Sequence, residues 1–136
     1  HPLYPIIADK AVTDHTAQSV SSTTGTTIVN FNLGPLVAGV PYLVKMACHI
    51  ALNAPSSGII YAVARIEASG TNVDGMDTGT VSGERTMAAF AQKIVIGTGA
   101  SINIAGRARV TSGTGSANSG LVWAEAIPLL TLANQE

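Results

Sequence analysis

From Tyr42 to Leu52 the chain alternates without a break. Tyr42, Val44, Met46, Cys48, Ile50 and Leu52 fall on one side of an extended backbone; Leu43, Lys45, Ala47, His49 and Ala51 fall on the other. A period of two places these sets on opposite faces of a strand, whereas a helix gathers residues three and four apart. The segment therefore reads as a long strand with its first set in the core. Its second set is small and weakly polar, as expected of a face that a neighbour covers.

The same alternation recurs at Ile102, Ile104, Gly106, Ala108 and Val110, with Asn103, Arg107 and Arg109 turned the other way. Val29, Phe31 and Leu33 make a shorter version. Residues 59–68, 87–96 and 121–130 are strand-like but apolar on both faces, which places them within a sandwich or at an interface. Trp123, in the last of these, reads as a core residue or an interface anchor, the core being favoured because its strand is apolar on both sides.

Gly/Pro/Ser punctuation at 34–35, 39–41, 55–58, 97–99 and 112–115 separates the runs, and short strands at this spacing suggest a sandwich or barrel. Gly97-Thr98-Gly99 reads as a hairpin turn. Residues 69–83 form the longest stretch without a pattern and read as a surface loop. An antiparallel β-sandwich with little or no helix is the expected fold.

Residues 1–12 carry two prolines and an apolar cluster, Leu3, Tyr4, Ile6 and Ile7. An edge strand of the domain and an arm packed on another subunit are both open readings. Because Pro2 and Pro5 hinder entry into a central strand, the segment is expected to bind outside its own sandwich. Residues 13–136 form the domain proper.

Composition then limits what such a sandwich can be. Only 11% of the residues are charged while 46% are hydrophobic, against roughly a quarter charged in an ordinary soluble domain. One domain of 136 residues has too little interior to hide that many apolar positions, so part of its surface is expected to be buried against other subunits. A formal net charge of −1 with scattered cations lacks the basic stripe that nucleic acid requires. No apolar run reaches the ~18 residues needed to span a bilayer. Neither nucleic acid nor a membrane is an expected partner.

No catalytic pattern competes with the assembly reading. Cys48 is the single cysteine and lies in an apolar run, so it reads as a buried small hydrophobe. His1, His15 and His49 lack metal-ligand spacing. Residues 72–77 are faintly like a calcium loop but lack the downstream Glu, and read as a surface turn. Gly97-Thr98-Gly99 has no following Lys or helix to bind phosphate. The chain is expected to be neither an enzyme nor a holder of metal or cofactor. Arg107 and Arg109 present two guanidinium groups in one direction. They are candidate anchors for an acidic partner or for Glu67, Glu84 or Glu125 of a neighbour, or else members of a solvated strand face.

Two stretches carry a family resemblance: residues 39–44, a Gly-Val-Pro turn feeding the long core strand, and residues 94–104 followed by a Gly/Ser loop and the closing run 121–129. Between Thr16 and Leu130 this order of strands and turns resembles the trimeric jelly-roll modules of bacteriophage virions, which have a tumour-necrosis-factor or C1q-like topology. The resemblance implies an all-β antiparallel jelly-roll sandwich of about eight strands whose last strand returns to the sheet centre. At 4% aromatic the chain is poorer in aromatic residues than C1q-like trimers usually are at their axis.

By that resemblance the chain is a capsid decoration (cement) protein at the virion surface. It would stabilise a phage head as a homotrimer through non-covalent contacts with itself and with the major capsid protein or other virion proteins. The alternative is a head-fibre or tail-fibre receptor-binding module. Leu3, Tyr4, Ile6, Ile7, His49, Arg107 and Arg109 are the interface candidates.

Overall fold

The computed structural model describes residues 4–12, 17–68, 71–75, 78–81 and 83–129. Ten strands lie in this part of the chain: β1 Ile6–Val12, β2 Gln18–Val20, β3 Thr26–Leu33, β4 Pro41–Asn53, β5 Ile60–Ala68, β6 Thr71–Asp74, β7 Thr78–Thr80, β8 Glu84–Ile96, β9 Ile102–Val110 and β10 Gly115–Pro128. They form two antiparallel five-stranded sheets. The front sheet runs β1-β10-β4-β8 with β2 beside β10, and the back sheet runs β3-β9-β5-β6 with β7 beside β5. The chain crosses repeatedly from one sheet to the other, and β10 returns between β1 and β4. This is a jelly-roll sandwich. The two short strands β2 and β7 raise the count above the expected eight.

The inward faces are those the alternation selects. Tyr42, Val44, Met46, Cys48, Ile50 and Leu52 of β4 are all buried, and they meet Ile60, Ile66, Ile104 and Val110 of the back sheet. No polar or charged residue is buried among the described ones. The core therefore rests on apolar burial, roughly 1.5–3 kcal/mol for each large side chain fully removed from water. The Tyr42 hydroxyl accepts a 3.0 Å hydrogen bond from the Val37 amide, so the largest buried side chain leaves its polar tip satisfied.

Three expectations need correction. Residues 97–99 do not make a hairpin, because β8 and β9 belong to different sheets. The segment is instead tied to residues 36–40: Gly39 N–H donates to Gly97 O at 2.9 Å, Gly97 N–H to Val40 O at 2.8 Å and Gly99 N–H to Leu36 O at 2.8 Å. A Cβ at Gly97 would lie 2.1 Å from the Val37 carbonyl oxygen, so the approach needs glycine.

The stretch read as a loop, 69–83, contains β6 and β7, which pair with opposite ends of β5. Their side chains are mostly polar, and backbone pairing holds them rather than an apolar face. Gly75 and β7 lie beside the edge strand β8: a Cβ at Gly75 would run into the Phe90 carbonyl, and the Thr78 hydroxyl donates to the Ala88 carbonyl. Covering part of an edge strand in this way limits unwanted strand pairing.

The N-terminal segment does not leave its own sandwich. β1 pairs with β10 along its whole length, from Ile6 opposite Ala126 to Val12 opposite Gly120, and Ile6 and Ala8 pack against the core. It is an edge strand. Pro5 precedes its first paired residue, so it removes no ladder hydrogen bond.

Candidate functional site: the outer face of the front sheet

Antiparallel registration aligns the outward side chains of the front sheet in rows. Ile94, Leu43 and Ile127 form one row; Gln92, Lys45, Glu125 and Ile7 the next; Phe90, Ala47, Trp123 and Asp9 the third; and Ala88, His49, Leu121 and Ala11 the fourth. Ile7, Phe90, Ile94, Ile96 and Trp123, all on this face, are between 37% and 60% exposed. Leaving large apolar side chains together in water is unfavourable, and such patches mark interaction surfaces. Charge enters these rows at Lys45 opposite Glu125 and at Asp9 on the β1 edge.

The centre of the face is concave. Ala47 and Ala88 are too small to fill the space beside Trp123, Leu121 and His49, and a hollow of about 320 Å³ results. Its wall is almost wholly apolar, which suits an inserted apolar knob or a flat ring more than a polar ligand. Cys48 lies beneath with its thiol buried, and burial pushes that thiol up to about 11. It is a packing group, not a nucleophile.

The sequence-predicted residues are spread over the molecule. Ile7 and His49 stand on the front face, exposed. Tyr4, also exposed, precedes β1, and Ile6 is turned inward on it. Leu3 lies outside the described residues, as do His1 and His15. Arg107 and Arg109 are on the opposite side of the molecule, the outer face of the back sheet, so the structure does not gather the candidates into one site.

For Trp123 the favoured core reading needs correction. Its neighbours Val122 and Ala124 are fully buried, so the pleat turns the indole outward, where it is partly exposed. Phe90, Ile94 and Ile96 join it on this face, exposed. The signal was the apolar content on both faces of residues 87–96, which leaves open which set meets water.

The back sheet's outer face is polar. Arg65 donates to Asp74 through Nε at 2.7 Å and Nη2 at 3.1 Å, which holds the Asp74 carboxyl below its ordinary range. Asp74 is thus a strand residue in an ion pair, not part of a surface turn. The Arg109 guanidinium lies over the Tyr61 ring, 4.3 Å from its centroid. Among the described residues, no group of three or more His, Cys, Asp or Glu could hold a metal ion, and no helix is long and apolar enough to cross a membrane.

No protein-family model and no curated protein matches the chain. Solved structures similar to it include an IBDV viral particle, with 14% identity over 91% of this chain and a TM-score of 0.49. The infectious bursal disease virus VP2 subviral particle is similar with 12% identity over 91% and a TM-score of 0.48. The chain spans about a third of those viral chains, 31% and 33% of their lengths. Eiger TNF from S. frugiperda is similar with 11% identity, a TM-score of 0.47, and coverage of 93% of this chain and 94% of its own. The likeness is one of fold.

Proposed function

We propose that this chain is a structural virion protein of the decoration type, which self-associates as a trimer through the outer face of its front sheet. The observation that carries the reading is the row of Phe90, Ala47 and Trp123 beside Ile94, Leu43 and Ile127, an apolar surface a lone subunit would leave wet. Closing such faces around an axis removes them from water without leaving an open end. Its action is mechanical: each subunit adds apolar contacts to neighbours and to the capsid shell, and their sum resists pressure and heat without chemistry.

Light scattering on the isolated protein tests the first half. A trimer is expected, and a monodisperse monomer at micromolar concentration overturns it. Addition to heads stripped of decoration protein tests the second half, with recovery of heat resistance as the expected result.

The second reading, a fibre-tip recognition module, gains from the hollow beside Trp123, since an exposed indole in a concavity can stack on a sugar ring. Binding to cell-surface glycans instead of to capsids would select it.

A further inference from the structure

The outer face of the back sheet gathers charge in a molecule that otherwise has little. Arg65, Arg107 and Arg109, three of the seven Lys and Arg residues, stand on two adjacent strands, with Arg107 opposite Val63 and Arg109 opposite Tyr61. Arg65 is occupied by Asp74, and Arg109 lies over Tyr61. Arg107 is placed differently. The turn before β3 folds over it, with the Ser22 hydroxyl accepting from the Gly25 amide at 2.9 Å. The guanidinium lies so close to Gly25 that a Cβ there would sit 2.9 Å from Nη2 and 3.0 Å from Nε. Arg107 Nε is buried, and no described residue accepts its hydrogen bond.

A guanidinium stays charged at any physiological pH, and a buried donor without an acceptor is destabilising. Burial, and then repulsion from Arg65, pull Arg107 below its ordinary range. The environment thus disfavours the cation while supplying no ligand. Asp74 and Glu67 act on Arg107 only at a distance.

The geometry points to an oxyanion site centred on Arg107 that takes a carboxylate carried by an acidic segment of a protein partner. The fork of a guanidinium matches the two oxygens of a carboxylate or of a phosphate. Charge favours the first: Asp74 and Glu67 already act on Arg107, so a monoanion meets less repulsion here than a dianion. An extended sheet face also favours a side chain presented by a partner. The site lies on the opposite sheet from the proposed self-association face, and its test does not depend on that assembly.

Arginine Nε–H resonances of the full chain report on the site directly, with Arg107→Lys assigning the Arg107 signal. The probes are a hexaglutamate peptide, acetate and inorganic phosphate. The peptide is expected to shift the Arg107 resonance saturably and leave that of the exposed Arg85 in place. Arg107→Lys, which keeps the charge and loses the fork, should weaken peptide binding by about tenfold or more. Asp74→Asn, which removes a negative charge and releases Arg65, should strengthen it, and this variant serves if Arg107→Lys does not fold. Equal shifts at Arg85, or none at Arg107, would mean that water satisfies Nε and would overturn the site. Saturation by phosphate in preference to the peptide overturns the carboxylate, and saturation by acetate at the peptide's concentration overturns the protein partner.

Discussion

Met46 is 2% exposed at the middle of β4, enclosed between the two sheets. Truncation there leaves a void that close-packed neighbours fill only in part. Met46→Ala should therefore cost about 2–5 kcal/mol, read from a chemical denaturation midpoint at unchanged slope. A loss below about half a kcal/mol would mean that the site relaxes far more than a close-packed core allows. Asp74 shows the smaller scale of surface electrostatics. Its hydrogen bonds from Arg65 lower its carboxyl in the folded state, so the pair stabilises the fold above the unfolded carboxyl value of about 3.9. That contribution is lost as the pH falls through the folded value. The carboxyl is 44% exposed, so Asp74→Asn should cost no more than about 1 kcal/mol at neutral pH. The cost should vanish in acid, as a series of thermal melts from neutral to low pH would show.

Among the elements, β1 is the informative one. Ile6 and Ala8 close one flank of the core while Ile7 and Asp9 face outward, so the strand serves both the interior and the outer face. Removing residues 1–12 would expose the β10 edge and uncover part of the core. A drop of several degrees in Tm, corresponding to roughly 2–3 kcal/mol, is the expected outcome. An unchanged melt would show that the strand adds nothing to the domain. At the opposite edge of the front sheet, Gly75 and Thr78 already lie against β8. β1 is therefore the edge more open to another chain, and its polar and charged residues Asp9 and Lys10 discourage pairing there.

For the whole molecule, the two outer faces differ in kind: one apolar, one polar and cationic. Assembly through the apolar face should respond to substitutions that leave the core untouched. Phe90→Glu, at an exposed position, should shift the sedimentation profile from trimer to monomer while Tm of the monomeric domain stays within a few degrees. In the proposed assembly burial of apolar area is the driving force, so added salt should not dissolve it, although the Debye length shortens to about 10 Å at 0.1 M. Dissociation by salt would mean that Lys45 and Glu125 dominate the interface. A Phe90→Glu protein that keeps its full mass would show that another face joins the subunits.

Much of this architecture is local in origin, and that part was legible in the chain. The alternation at 42–52 and 102–110 determines which side chains share a face, because the pleat depends only on the backbone of the strand itself. From it follow the buried set of β4, the outward position of His49, and the common direction of Arg107 and Arg109. Composition adds the expectation that some outer face is covered. The rest is non-local. β6 and β7 have no apolar pattern of their own and exist because β5 offers them backbone partners. Trp123 is outward because its neighbours Val122 and Ala124 meet the back sheet, a choice an apolar run cannot reveal. Arg65 reaches Asp74, and Arg107 lies under Gly25, through pairings across the sheet and a turn far away in sequence. Periodicity sets where a side chain points; only the register between strands decides what it meets.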